Sequence, residues 1–315
     1  MKRHFRSHHL FLSMISILLL LSLTSCAATN SESQSGHAKG NSSATDNNAS
    51  TSSESTETSE STTKTDDDNF SASPLYSKYQ LTYTDTIGYS LPYCLYLPKK
   101  EAFPEDSEKT SYPLVLFLHG AGERGTDNEL QNNDTGIVPR LTDETFYAAH
   151  PCILVVPQCP ADAQWVNTPW TEGSYSIEET PISPALSAAS ELLDDICAQY
   201  PADTSRLYIT GVSMGGYGAW DLLLRHPDLF AGAIILCGAG DPSQAAAIAH
   251  IPLRLFHGAK DTEVPVSGSR EMYQALLDAG ANDVQYQEYP DIGHWIWLNA
   301  WDEPGLLDWL FSVSK

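Results

Sequence analysis

From about residue 74 to the C-terminus, short apolar strand-like runs alternate with amphipathic helical stretches, and this alternation leaves few folds open. Residues 79–85 and 90–97 read as two strands joined by a turn at Ile87-Gly88. Residues 112–118 and 152–157 are apolar runs of strand length. The stretch 183–200 carries Leu186, Ala189, Leu192, Leu193, Ile196 and Cys197 on one helical face. A strand at 206–212 leads into a helix at 214–226, then strands at 233–237 and 253–257, a helix at 268–279 and a strand at 284–289. Helical stretches after His294 and from Pro304 close the chain. A hairpin followed by alternating strands and helices implies the α/β class: a mostly parallel central sheet with an N-terminal antiparallel hairpin and helices on both faces. Such sheets carry their sites at the carboxyl ends of the strands, so chemistry is sought just after each strand.

Directly after the strand at 206–212 the chain runs Gly211-Val212-Ser213-Met214-Gly215-Gly216. This is G-x-S-x-G between a strand and a helix. A serine exposed on so sharp a turn needs small residues two positions to either side, where strand and helix approach each other. The pattern alone arises by chance about one time in ten in a chain of this length, so its weight rests on that strand-then-helix setting. A nucleophile of this kind is followed in chain order by an acid and then a histidine. Asp261 follows the strand at 253–257 and His294 follows the strand at 284–289. Ser213, Asp261 and His294 thus lie after three strand ends in the required order, as nucleophile, acid and base. Asp291 and Glu263 are alternative acids. His257 reads as a structural histidine tying neighbouring loops, and His226 and His250 as surface residues. The Gly-rich stretch His119-Gly120-Ala121-Gly122-Glu123-Arg124-Gly125 follows another strand. Its backbone suits an oxyanion site formed by the N–H groups of Ala121 and Met214. It lacks the Lys-Ser/Thr ending of a phosphate-binding loop.

These residues carry a resemblance. The stretches 119–125, Pro157-Gln158-Cys159-Pro160, 211–218 with Trp220, 225–230, and His257-Gly258-Ala259-Lys260-Asp261 resemble the single-domain α/β-hydrolases related to feruloyl and acetyl esterases, polyhydroxybutyrate depolymerases and the catalytic domain of prolyl oligopeptidases. The likeness covers roughly residues 75–315. It implies an α/β-hydrolase fold and a serine hydrolase acting on small-molecule or polysaccharide-linked carboxylic esters through an acyl-enzyme on Ser213, with no metal or other cofactor. A peptidase using the same chemistry and a non-catalytic surface binding protein on the same fold remain alternatives. Nothing resembling a β-propeller is present. Trp295-Ile296-Trp297 after His294 is more apolar than the resemblance leads one to expect. Gly120, Gln158, Trp165 and Trp295 are candidates for the substrate pocket. For Trp165, pocket and core stay equally open, whereas Trp170 is assigned to the core.

The N-terminus reads separately. Lys2, Arg3 and Arg6 precede an apolar run at 10–23, shorter than an ordinary spanning helix, which ends in Leu23-Thr24-Ser25-Cys26. This resembles a bacterial lipoprotein signal peptide over residues 1–26, with Cys26 as the lipidated residue, a membrane anchor and a place outside the cytoplasm. Residues 27–73 are dominated by Ser, Thr, Asn and acids and read as a disordered tether. That leaves 74–315 as the catalytic domain. The formal net charge is −23, with 40 acids against 17 Lys and Arg, which argues against a nucleic-acid partner. Past Cys26 an odd number of cysteines remains: Cys94, Cys152, Cys159, Cys197 and Cys237. They read as buried thiols, with a Cys152–Cys159 bridge left open.

Overall fold

The computed structural model describes residues 73–103, 111–133 and 136–315. The expected signal segment with Cys26, and all of the expected tether but Ser73, lie outside the described residues. Among the described residues, eight strands form one sheet: β1 (Tyr76–Thr84), β2 (Ser90–Pro98), β3 (Tyr112–Leu118), β4 (Ile153–Pro157), β5 (Ala202–Val212), β6 (Gly232–Leu236), β7 (Leu253–Gly258) and β8 (Val284–Tyr289). Their spatial order is β1-β2-β4-β3-β5-β6-β7-β8. β1 pairs antiparallel with β2, and β2 antiparallel with β4; every other neighbouring pair is parallel. The helices are α1 (Val138–Leu141), α2 (Glu144–Ala149), α3 (Pro184–Gln199), α4 (Met214–Arg225), α5 (Ser267–Asp278), α6 (Trp297–Trp301) and α7 (Leu306–Ser312).

The central strands are apolar on both faces because both are covered. Successive side chains of a strand point to opposite sides. Leu114, Leu116 and Leu118 of β3 join a core with α3, α4 and α5, whereas Val115 and Phe117 join the core beneath α1, α2, α6 and α7. The same split divides Ile209 from Tyr208 in β5 and Ile235 from Ile234 in β6. α3 shows how local sequence sets an element. Pro184 occupies its first turn, where no N–H is needed. Ser183 caps it, accepting from Leu186 N at 3.1 Å while donating to Trp165 O at 2.7 Å. Its face of Leu186, Leu192, Leu193 and Ile196 is buried against the sheet, each such side chain stabilising the fold by about 1.5–3 kcal/mol.

The sheet and helices match the α/β-hydrolase architecture expected from the sequence. The α1–α2 pair was not anticipated, because four and six residues are too short to display a helical period. The signal that was present is Asp143, which caps α2 by accepting from Thr145 N and Phe146 N at 3.0 Å. β5 begins four residues earlier than expected: its first residues are polar and partly exposed, and Ala202 enters the sheet only by pairing with Tyr112. The described cysteines are all free, so no Cys152–Cys159 bridge forms. No helix among the described residues is long and apolar enough to cross a membrane.

Candidate active site

Ser213 stands at the junction of β5 and α4 with φ 56° and ψ −120°. A non-glycine residue in this region is strained by roughly 1–3 kcal/mol. It is held by Ser213 N donating to Leu236 O at 2.9 Å and by its own carbonyl accepting from Tyr217 N at 3.1 Å. The flanking glycines are obligatory for contact reasons. A Cβ on Gly211 would overlap Gly215 O, and one on Gly215 would overlap Leu118 O. α4 is therefore seated against the ends of β3 and β5, which presents the serine at the carboxyl edge of the sheet.

The loops after β7 and β8 deliver the partners. His294 Nε2 lies 2.8 Å from Ser213 Oγ, and His294 Nδ1 lies 2.7 Å from Asp261 Oδ2. The imidazole also meets Trp297 edge-on, with ring centroids 5.5 Å apart. Asp261 Oδ1 accepts from Glu263 N at 2.8 Å and Val264 N at 2.9 Å. Burial by itself would raise the pKa of Asp261. Hydrogen bonds from His257, His294 and the Val264 amide outweigh that penalty and hold its carboxyl well below the usual carboxylate range. The two alternative acids point elsewhere: Asp291 is exposed and paired with Lys260 Nζ at 2.8 Å, and Glu263 is exposed at the rim. His226 and His250 are exposed as expected. His257 is fully buried, with Nδ1 2.8 Å from Ser269 Oγ and Nε2 3.1 Å from Val264 O.

Gly120 lies against the serine: a Cβ placed on it would meet Glu123 Oε2 at 3.1 Å and Ser213 Cβ at 3.8 Å. Ala121 opens a short 3-10 turn (Ala121–Glu123), and Met214 is the first residue of α4. Both amides thus sit at N-terminal positions where a helical N–H has no intrahelical acceptor. His119 fixes this loop from below. Its Nε2 accepts from Cys159 N at 2.9 Å, so the proton resides on Nδ1 and is donated to Gly120 O at 2.6 Å. Burial lowers its pKa to about 4, which keeps the ring neutral.

Ser213 and His294 open onto a cleft of about 470 Å³. Its walls include Trp170, Trp295 and Trp297, with Glu123, Glu263 and Asn133. Of the pocket residues expected from the sequence, Gly120 and Trp295 line it, Trp295 with 70% of its surface exposed. Two expectations are corrected. Trp165 is fully buried and donates Nε1–H to His119 O at 3.0 Å, so it supports the loop from the core. Gln158 is also fully buried: its Nε2 donates to Glu123 O and Asp127 Oδ1, and its Oε1 accepts from Asn128 N. It knits residues 123–128 together and does not face the cleft. Trp170, assigned to the core, does pack against it and also turns part of its surface to the cleft, with the Arg124 guanidinium 5.9 Å from its ring. A separate hollow of about 300 Å³ beside Trp309 and β8 includes neither Ser213 nor His294.

The sequence marks Cys237 only as a core thiol, yet it stands at the same edge, directly after β6. It has φ 48°, and its Sγ–H donates to His294 O at 3.4 Å. Burial and the nearby Asp261 push its pKa well up, so it remains a thiol. Its place directly after β6 was the available signal. Cys237, Asp261 and His294 have ligand atoms within 4.8 Å of one another. Both imidazole nitrogens already face Ser213 and Asp261, which makes this a hydrogen-bonded cluster and not a metal centre.

A model of the phospholipase/carboxylesterase family matches residues 100–301. A probable carboxylesterase of Oryza sativa subsp. japonica is 25% identical over 204 residues, which cover 58% of this chain and 81% of that protein. A poly(3-hydroxyoctanoate) depolymerase of Pseudomonas fluorescens is 27% identical over 206 residues, covering 58% and 68%. Among solved structures, a thermostable esterase superposes with a TM-score of 0.67 at 34% identity, over 76% of this chain and 63% of its own, so the present chain spans less than two thirds of that esterase. With the family model running from the end of the hairpin to α6, over an eight-stranded sheet of α/β-hydrolase form, the chain belongs to the phospholipase/carboxylesterase family and is an esterase-type hydrolase.

Proposed function

We propose that the protein is a serine carboxylesterase that works through an acyl-enzyme on Ser213. The observation that carries this reading is the continuous relay from Ser213 Oγ through His294 to Asp261, at 2.8 and 2.7 Å. As Ser213 Oγ attacks the ester carbonyl carbon, its proton passes to His294 Nε2. Asp261, ionised and bonded to Nδ1–H, holds the tautomer and stabilises the imidazolium. The carbonyl oxygen becomes an oxyanion facing the Met214 and Ala121 amides, where one lost donor typically costs about 3–4 kcal/mol. Collapse breaks the ester C–O bond. The departing alcohol takes the proton from His294 and leaves the acyl group on Ser213. Water then repeats the sequence, giving its proton to His294 and releasing the acid.

A place outside the cytoplasm, with a lipid on Cys26 and the stretch 27–73 as tether, belongs to the same proposal. It is supported by the basic start, the apolar run and the Cys at its end. The enzymatic reading is tested with a fluorophosphonate probe: the folded protein labels and Ser213→Ala does not. Absence of labelling, or labelling that survives in Ser213→Ala, overturns it. A parallel panel of p-nitrophenyl esters and peptide amides should show ester turnover well above amide turnover. The anchor is tested by Cys26→Ala, expected to move the protein from the membrane fraction to the soluble one.

A further inference from the structure

The cleft has two unlike sides. His294 takes the Ser213 proton and hands it to the departing oxygen, so the alcohol part of the ester lies on the His294 side, and the carbonyl oxygen faces the loop at 120–122 opposite. The His294 side is built from the residues that follow the histidine and from the turn after β7. Trp295 and Trp297 line it, with ring centroids 4.7 Å apart and planes inclined at 51°. Trp297 in turn stands 5.5 Å from the His294 ring, and Trp295 leaves 70% of its surface exposed, so indole surface is open to whatever enters. Glu263 completes this wall at the rim. Its amide donates to Asp261 Oδ1 at 2.8 Å, so its side chain springs from a held backbone two residues beyond the relay acid.

We propose that this side of the cleft is a half-site for a cation, and that the preferred substrates are esters of small amino alcohols, whose ammonium group sits against Trp295 and Trp297 with Glu263 balancing its charge. The proposal rests on the serine-esterase reading and names the substrate class of that site. The face of an indole is the negative part of its ring quadrupole and attracts an ammonium. Two rings inclined to each other form a corner, which suits a compact, rounded cation better than a flat sugar or phenolic ring. The single carboxylate of the wall matches a single positive charge, whereas a polyol calls for several donors and acceptors. Among the described residues lining the cleft there is no Lys or Arg to compete for that carboxylate. The third indole is different: Trp170 has the Arg124 guanidinium 5.9 Å from its ring, which repels a second cation and directs it to the opposite wall. The reach also fits. The nitrogen of such an alcohol is only two carbons from the leaving oxygen, and Trp297 stands directly beside the histidine that protonates that oxygen.

The test uses two esters of one shape. The butyryl esters of choline and of 3,3-dimethylbutanol differ only in a charged nitrogen replacing a carbon. Each kcat/KM is divided by the rate of alkaline hydrolysis of the same ester, which removes the difference in leaving-group reactivity. On that scale the full-length protein is expected to favour the choline ester about tenfold. The preference should persist in high salt, where the field of the acidic chain is screened. Trp295→Ala and Glu263→Gln are each expected to lower the ratio about threefold. Both side chains are exposed, so neither replacement disturbs the core. A ratio near one overturns the proposal, as does a ratio left unchanged in either variant. A preference that vanishes in high salt overturns it too, since that traces the selection to the charge of the whole molecule. A glucosyl butyrate that outpaces the choline ester on the same scale overturns it in favour of a sugar. Failure of fluorophosphonate labelling in the wild type would instead overturn the esterase reading.

Discussion

At Ser213 the chain tolerates a backbone conformation that side chains normally avoid, and glycines at 211 and 215 make room for it. Gly215→Ala is therefore expected to push α4 away from Leu118 O, destabilising the fold by about 1–3 kcal/mol and removing most esterase activity; urea unfolding and kcat/KM read the two effects. Asp261→Asn keeps the shape of the side chain but favours the wrong tautomer of His294, so kcat should fall about 10⁴-fold with little change in KM. The same carboxyl links stability to pH. Its pKa is depressed on folding from about 3.9 in the unfolded chain. The stabilisation is complete above that value and is lost as pH falls towards the folded one. Wild-type Tm should thus drop more steeply below about pH 4 than that of Asp261→Asn. The members of this relay were legible because each follows a strand end in a fixed chain order. The pocket wall was less so. Trp165 and Trp170 sit five residues apart in one loop, and nothing in the local sequence says which indole turns towards His119 and which towards the cleft.

Among the elements, α4 carries more than the elbow. Asp221, buried in its middle, accepts from Arg225 one turn on and from the Tyr175 hydroxyl at 2.8 Å, while Arg225 also donates to Thr180 O at 2.7 Å. This ties the long stretch before α3 to the helix behind Ser213. Arg225→Ala leaves Asp221 buried without its cation, and a loss of about 3–5 kcal/mol is expected in urea unfolding. Strands with a clear pattern were readable in advance: β3, an unbroken buried apolar run, and β8, where half-buried and exposed residues alternate, have the bounds that the sequence dictates. α1 and α2 were not, since one or two turns offer no periodicity and their burial is set by where Phe117 and Val156 lie in the sheet. His257 was legible as a structural histidine. Its approach to Asp261, four residues on, was not, because it depends on how the turn after β7 folds back over the strand end.

At the scale of the whole molecule, charge and cleft act together. The chain is strongly acidic, and Glu123 and Glu263 stand in the cleft wall, where among the described lining residues there is no Lys or Arg. Anionic esters should approach slowly: kcat/KM for a carboxylate-bearing p-nitrophenyl ester is expected about tenfold below that of a neutral one at low salt. The gap should narrow as salt screens the field over about 3–10 Å; a ratio independent of salt would place the discrimination in contacts instead. The cysteines have a different consequence. Cys94, Cys152, Cys159 and Cys237 are buried free thiols, and Cys197 is half-covered. Among the described residues no covalent staple has to form before the sheet closes, so the folding of this part needs neither an oxidant nor a disulfide isomerase, and reducing agents leave it untouched. The molecule also carries its own opening gauge: a thiol reagent reaches the four enclosed sulfurs only as the surrounding strands part, and its reaction rate reads out how often they do.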